Sequence, residues 1–514
     1  MRVLLVNTGN DDEIGGNANS QSYPPLGIIS LGTAIAEEFG DKIELSLLDG
    51  QVDDAATIKQ QIRKMRPDVV GVSMYCTSIR KTLEFIQEAK AVGAVTLLGN
   101  DHAAIHHRTL LHKVKEIDYV CTADVGEETI VPFIRCLLTK ADIEGVPKLS
   151  FRSATGEVVN TRPGPAMAQI AANGEPKSRS ANALDELPIP DRRLLPRRYW
   201  ESYLRNFKLQ CRRTFNSQNV GGIATINRAR GCARAKNPCR YCGIADLRPR
   251  GSSPEAFWRD VRRAREQVNA IVLYEAFDSA TSWPSLMKGW LEARPADLDD
   301  TRFFMYAQAA ETNEGIVDTF SKLGVFCVNT GFDSGDTRTL QLLKGKQDSA
   351  EKNRRAAELW TRAGIEIHTS FVLMGMGSEA ETRRSLDHTV AFAEWLAKNT
   401  HTVSLDSAMF YPDKTAPVGA WIWDPGLAAK QAKDLGWDFI DFDLLQKASH
   451  RWRDEVLLDP LELCIDFAKI CRVEPQLLVD YNRRIQSISN RYQLNFGHSL
   501  AGAEPVKAPP EKTV

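Results

Sequence analysis

Three cysteines, Cys232, Cys239 and Cys242, fall within eleven residues of the segment RGCARAKNPCRYCGI. Thiolates are the soft ligands that select iron–sulfur clusters and zinc. Three on one loop can hold three irons of a [4Fe–4S] cluster and leave the fourth iron without a protein ligand. Zinc is the alternative, since Cys-x-x-Cys is common in zinc knuckles. A structural zinc takes four ligands, and no fourth Cys or His lies near this loop; Cys211, the nearest, precedes the strand before it. The remaining cysteines, Cys76, Cys121, Cys136, Cys327, Cys464 and Cys471 together with Cys211, sit among apolar neighbours and read as small buried hydrophobes.

Such a loop needs a scaffold, and the spacing of apolar runs supplies two. RVLLVN (2–7), IELSLLD (43–49), DVVGVSM (68–74), AVTLLGN (94–100) and DYVCTA (118–123) read as strands. Each is a continuous apolar run, as in parallel strands buried on both faces. Amphipathic helices such as AATIKQQIRKM (55–65) and KTLEFIQEAKAVG (81–93) alternate with them. The alternation predicts an α/β protein whose domain 1–145 is doubly wound, Rossmann-like in the flavodoxin manner, with ligands at the carboxyl ends of the strands. The loops there (NTGND, SMYCTS, LGNDHA, TADVGEE) are polar, and no G-x-G-x-x-G opens the first helix. Residues 146–215 read as an irregular linker, rich in Pro, Gly and Ser. A second series, 216–405, has strands in 222–231, 270–278, 301–309, 325–333 and 365–375. It predicts a full or partial TIM-like (β/α) barrel with its chemistry on the loops after the strands. The cysteines occupy the first of those loops. Residues 406–514 read as a small, mostly helical region, ending in a tail, AGAEPVKAPPEKTV.

Charge narrows the partners. The 514 residues carry 65 basic and 66 acidic side chains, a net charge of −1, so a polyanionic nucleic-acid partner is disfavoured. No apolar run reaches membrane-spanning length, and acids follow the first apolar strand too soon for a signal peptide. The expectation is a cytoplasmic protein acting on a small molecule, with neither nucleic acid nor membrane as partner.

With these motifs in view, residues 222–400 resemble the radical S-adenosylmethionine (SAM) superfamily. The order of domains resembles its cobalamin-dependent branch. The half-motif Cys239-Arg240-Tyr241-Cys242 matches the superfamily's Cys-x-aromatic-Cys, whereas six residues separate Cys232 from Cys239 where the family has three. Further positions correspond in order: YEAFDSAT with Glu275 and Asp278, MYAQAAE with Gln308, VNTGFDSGD with Asp333, then LLKGK, and FVLMGMGSEAET with Gly375 and Gly377. The resemblance implies that Tyr241, Glu275, Asp278, Gln308 and Asp333 serve SAM, and that the two glycines let the backbone approach its adenosine. The segments YPPLGIISLGTAIAE, LLDG, RPDVVGVSM, LLGNDHA and DYVCTADVGEET resemble the branch's cobalamin-binding module. The implied corrin contacts are Ser73, Tyr75, Thr77, Gly99, Asn100, His102, Gly126 and Glu127. The Asp-x-His-x-x-Gly motif that supplies a cobalt ligand in several mutases is missing. His102 therefore has an equal reading as a loop residue, and His106, His107 and His112 read as helix surface.

The resemblance further implies three cofactors: a [4Fe–4S] cluster, SAM and cobalamin. It implies a methyltransferase acting on an unactivated carbon, or phosphorus, of a small molecule. One SAM would methylate cobalamin and a second would give a 5′-deoxyadenosyl radical, with electrons from a flavodoxin or ferredoxin. Ring rearrangement or oxidative cyclisation without methyl transfer is the alternative within the branch; a non-catalytic cobalamin-binding protein with a zinc site is the alternative outside it. The substrate pocket is expected between the domains, closed on one side by the C-terminal helices. Tyr411, Asp413, Trp421 and Trp423 are candidates to line it, the aromatics also reading as core.

Overall fold

The computed structural model describes residues 1–11, 22–161, 183–232, 234, 237–243 and 249–496; the expected C-terminal tail lies outside them. In the N-terminal part, β1 (Arg2–Asn7), β2 (Glu44–Asp49), β3 (Val69–Ser73), β4 (Val95–Gly99) and β5 (Tyr119–Cys121) form a parallel sheet in the order β2-β1-β3-β4-β5. This is the flavodoxin-like order, whose switch point lies between β1 and β3. The sheet does not stop where the sequence suggested. The stretch expected as an irregular linker holds β6 (Leu149–Arg152) and β7 (Val158–Asn160), which continue the sheet antiparallel from β5, and a helix over Arg197–Leu209. Both strands are short and β7 is only partly buried, so neither shows the continuous apolar run that marked the others.

The second sheet is wholly parallel: β8 (Ile223–Ile226), β11 (Val272–Glu275), β12 (Arg302–Ala307), β13 (Val325–Asp333), β14 (Glu366–Leu373) and β15 (Thr402–Met409) lie side by side in that order. Each of the two outer strands, β8 and β15, pairs with one neighbouring strand, so the barrel is partial, as expected. Strand β15 (TVSLDSAM) crosses the predicted boundary at 405; its alternation of Ser and Thr with apolar residues hid it from a search for continuous apolar runs. Between β8 and β11, two-residue strands β9 (Ala229–Arg230) and β10 (Arg250–Gly251) pair antiparallel. They close the stem of the cysteine loop.

The C-terminal helices do not form a separate core. Val70, Ile86 and Leu98 of the first domain share one apolar cluster with Trp421, Trp437 and Phe467. Trp421 is thus core, not cavity wall. Tyr23, ahead of the first helix, reaches the barrel and stacks on Phe304 with ring centroids 5.5 Å apart. The domains are therefore packed against one another through buried aromatic surface, which is large per side chain. No helix among the described residues is long and apolar enough to cross a membrane.

Candidate active site between the two sheets

The carboxyl ends of β1, β3 and β4 open onto a cavity of about 340 Å³. It is lined by Asn7, Ser73, Tyr75, Gly99, Asn100, Gly126 and Glu127 from the first domain, and by Asn227, Arg230 and Ala276 from the barrel. A second cavity, about 550 Å³, shares Tyr75, Asn100, Asp124, Asn227 and Arg230 with it and adds Thr77, His102, Gly231, Cys242, Gly243, Asp278 and Asp413. All eight residues expected at a corrin therefore line one or the other of these two adjoining cavities, and Cys242 and Asp278 line the second. Asn7, Asp124, Asn227 and Arg230 were missed. For Asn7, Asp124 and Asn227 the signal was available, because each stands at or just beyond the end of a parallel strand.

The cysteine loop is held by distant chain. Arg230 and Arg250, at its stem, both reach Asp124 of the first domain, through the carbonyl (2.6 Å) and the carboxylate (2.7 Å). Inside the loop, the Arg240 N–H donates to the Leu343 carbonyl and its own carbonyl accepts from Val418 N–H. Thr415 donates to the Gly243 carbonyl, and a Cβ on Gly243 would fall 2.3 Å from Asp413. The C-terminal region thus clamps the loop and supplies one cavity wall, as expected for Asp413.

The sulfurs carry their own partners. Gln308 Nε2 donates to Cys232 Sγ (3.3 Å), while its Oε1 is buried and accepts nothing among the described residues. Arg234 Nη1 donates to Cys239 Sγ (3.6 Å), and burial pushes the Cys232 thiol up. Among the described residues no three His, Cys, Asp or Glu side chains gather as a lone metal ion would require; a zinc draws its thiolates to about 2.3 Å. The donors on Cys232 and Cys239, and the orphaned amide oxygen of Gln308 beside the first, fit a polar group held at this loop.

Tyr241, between two of the cysteines, donates from its hydroxyl to Asp333 Oδ1 (2.9 Å), and Asp333 Oδ2 pairs with Lys344 Nζ (2.7 Å). Burial first, then the charge of Asp333 and of both neighbouring cysteines, pushes the Tyr241 phenol well above its usual range. Burial opposes the Lys344 charge, yet Asp333 and Cys239 outweigh it and its pKa is raised. Asp333 has φ +59°, a left-handed conformation that Asp tolerates better than most residues. Asp278 accepts from Gly231 N–H (2.9 Å) and fixes the first turn of the cysteine loop.

Three expectations fail. Glu275 is completely buried, and its carboxylate accepts from the Arg228 N–H (3.1 Å) beneath the loop stem, where the Arg228 and Arg192 guanidinium groups share Asp260. It braces backbone rather than facing the cavity. Gly375 and Gly377 do allow close approach, but the approaching atoms belong to the protein. A Cβ on Gly375 would lie 2.9 Å from Val473, and one on Gly377 (φ +90°) 2.5 Å from Phe439. His106 is not on the surface: its ring packs on His102 (4.6 Å) and near Trp423 (5.9 Å). Burial, and then Lys414, lower His102 to about 4; burial, and then His102, lower His106 to about 2.

Comparison with known proteins agrees with this architecture. A B12 binding domain model matches residues 17–131, and a radical SAM superfamily model matches residues 226–393. The chain thus carries a B12-binding domain followed by a radical SAM domain. By their descriptions these two domains are ones that serve cobalamin and SAM. It is 23% identical over 417 residues to the anaerobic magnesium-protoporphyrin IX monomethyl ester cyclase of Rubrivivax gelatinosus, across 77% of this chain and 66% of that one, a little under two thirds of the relative's length. In fold it is similar to the radical SAM methyltransferase TsrM from Kitasatospora setae, solved with cobalamin and a [4Fe–4S] cluster (TM-score 0.60, 18% identity, 82% of this chain, 75% of that one). It is also similar to the cobalamin-dependent SAM radical enzyme OxsB (TM-score 0.54, 16% identity, 96% of this chain, 62% of that one).

Proposed function

We propose that this enzyme transfers a methyl group to an unactivated carbon, or to phosphorus, of a small molecule held between its two sheets. The observation that carries the proposal is a pair of adjoining cavities, one lined by Ser73, Gly99 and Gly126 at the first sheet and the other by Cys242 on the cysteine loop, with Tyr75, Asn100 and Arg230 common to both. Such a space lets one substrate face both cofactor sites without leaving the protein.

In this reading Cys232, Cys239 and Cys242 hold the cluster. Ser73, Tyr75, Thr77, Gly99, Asn100, His102, Gly126 and Glu127 take the cobalamin, and Asp278 and Gln308 meet SAM. The cluster supplies the electron that opens a carbon–sulfur bond of SAM, and cobalamin supplies the methyl group. The protein's own work is positioning. The clamp of Leu343, Thr415 and Val418 fixes the cysteine loop, and Asp124 ties that loop to the first domain. The neutral His102 ring lines the shared space without bringing charge to it. Electrons come from a flavodoxin or ferredoxin in the cytoplasm.

A second reading has a specific observation behind it. The 417-residue similarity to a cyclase favours an oxidative ring closure that uses the same cofactors and transfers no methyl. Product analysis with methyl-labelled SAM separates them. Label in the product supports methyl transfer; a modified product without label, formed with stoichiometric 5′-deoxyadenosine, overturns it in favour of cyclisation.

A further inference from the structure

The first spacing of the cysteine loop is longer than the family pattern, and the extra chain is put to use. Arg234, two residues beyond Cys232, is 8% exposed. Its Nη2 pairs with Asp348 Oδ2 (2.7 Å), itself 2% exposed, and its Nη1 donates both to the Lys344 carbonyl (3.2 Å) and to Cys239 Sγ (3.6 Å). The turn is closed by the Asn237 N–H, which donates to the Arg234 carbonyl (2.8 Å). A guanidinium is planar and forked, so two partners on one side fix where its remaining N–H points. Asp348 and the Lys344 carbonyl are those partners here, and the remaining direction is a cysteine sulfur.

We propose that Arg234 is a positioning residue that tunes the iron–sulfur cluster: held by Asp348 and the Lys344 carbonyl, it gives a charge-assisted hydrogen bond to the Cys239 sulfur and raises the cluster's reduction potential. The inference rests on the assignment of the cysteine loop to a cluster, but not on what the cluster is used for. The physics is that hydrogen bonds to cluster sulfurs and nearby charge set the potential. One-electron reduction makes the sulfurs more electron-rich, so a cationic donor binds the reduced form more strongly than the oxidised one. A charge-assisted bond is roughly twice as strong as a neutral one. A loop with three residues between its first cysteines has less chain with which to carry such an anchor.

The test uses the full chain, reconstituted with iron and sulfide without oxygen, and a potentiometric titration followed by electron paramagnetic resonance. The parent, Arg234→Gln, Arg234→Lys and Asp348→Asn are compared at measured iron content. Arg234→Gln keeps an N–H donor but loses the charge. At one solution potential its reduced-to-oxidised ratio is expected to fall about tenfold, a shift of about 59 mV for one electron. Arg234→Lys keeps the charge and is expected to restore the ratio to within about threefold of the parent. Asp348→Asn removes the counter-charge and is expected to raise the ratio. An unchanged ratio in fully loaded Arg234→Gln overturns the proposal, because a merely structural latch would leave the potential where it was. If Arg234→Gln takes up no iron, the other two variants decide: a ratio that does not rise in Asp348→Asn, or loading that Lys cannot restore, overturns it as well. A parent chain that binds no iron would instead defeat the cluster assignment, so the two failures are distinct.

Discussion

Gly99 offers a way to close the first cavity without harming the fold. It is the last residue of β4, pairs with Ser73 at the end of β3, and lines the cavity at the carboxyl edge of the sheet. A Cβ built there meets no other atom within 4 Å. In Gly99→Val the branched side chain therefore enters space that a bound corrin would fill. Overpacking a filled site costs about 1–3 kcal/mol, which is about 5- to 150-fold in Kd. The empty protein should respond in the opposite direction. Glycine in a strand interior costs roughly 0.5–1 kcal/mol relative to alanine, and valine suits a strand, so the melting temperature should hold or rise. The contrast is Gly71→Ala, on β3 in the same cavity, whose Cβ would fall 2.8 Å from Leu5 Cδ2. That variant presses on a buried core residue and should lose stability before any ligand is added. Cobalamin binding is read by absorbance titration, and stability by circular dichroism. If Gly99→Val binds cobalamin as tightly as the parent, the corrin does not lie against the end of β4, and the proposed orientation of the two domains about it is wrong.

Three further outcomes follow from the same geometry. Asp333→Asn leaves the Lys344 ammonium, 4% exposed, without its counter-charge, and should destabilise by about 3–5 kcal/mol in denaturant unfolding, whereas Tyr241→Phe removes one hydrogen bond and should cost about 1 kcal/mol. His102 is lowered to about 4 when folded, against 6.5, so between those values the unfolded chain binds the extra proton. Stability is then fully present above pH 6.5 and falls as pH drops toward 4, by about 1.4 kcal/mol per unit for this group; His102→Asn should flatten the urea-unfolding profile by that one proton, and an unchanged slope would show that its ring is not held neutral. Gly377→Ala combines φ +90° with a Cβ 2.5 Å from Phe439, and should cost about 1–3 kcal/mol in backbone strain alone. Its readout is faster proteolysis of the C-terminal segments.

What the sequence revealed, and what it hid, divides along a physical line. Parallel strands deliver their carboxyl ends to one edge, so residues that follow buried apolar runs can be assigned to a cleft from local pattern alone. Ser73, Gly99, Asn100 and Gly126 were legible for that reason, and so was the placing of the cysteines after the first barrel strand. Glu275 also ends a strand, yet it turns under the loop stem to cap the Arg228 N–H, beside a buried network of Arg192, Arg228 and Asp260. No local periodicity reports that. His106 shared its helix with exposed His112, and only the arrival of Trp423 from more than 300 residues away makes its face interior. Gly375 and Gly377 signalled close approach correctly, but a glycine does not say what approaches.

The same reasoning explains why an atypical cysteine spacing need not be a defect. A loop is a poor place to preorganise three metal ligands unless its backbone groups are satisfied by rigid neighbours. Here Arg240 is bonded on one side to Leu343 at the end of a barrel helix and on the other to Val418 of the C-terminal region. Arg234 is fixed by Asp348, and Gly243 is pressed against Asp413. Each of these partners lies more than 100 residues along the chain. The loop's shape is therefore set by tertiary contacts, so its length can drift while the positions of Cys239 and Cys242 are kept. It follows that the C-terminal helices are part of the cysteine site itself: the same segment that packs on the first domain through Trp421 and Trp437 holds Arg240 through Val418. Movement of one sheet against the other would reach the thiols directly.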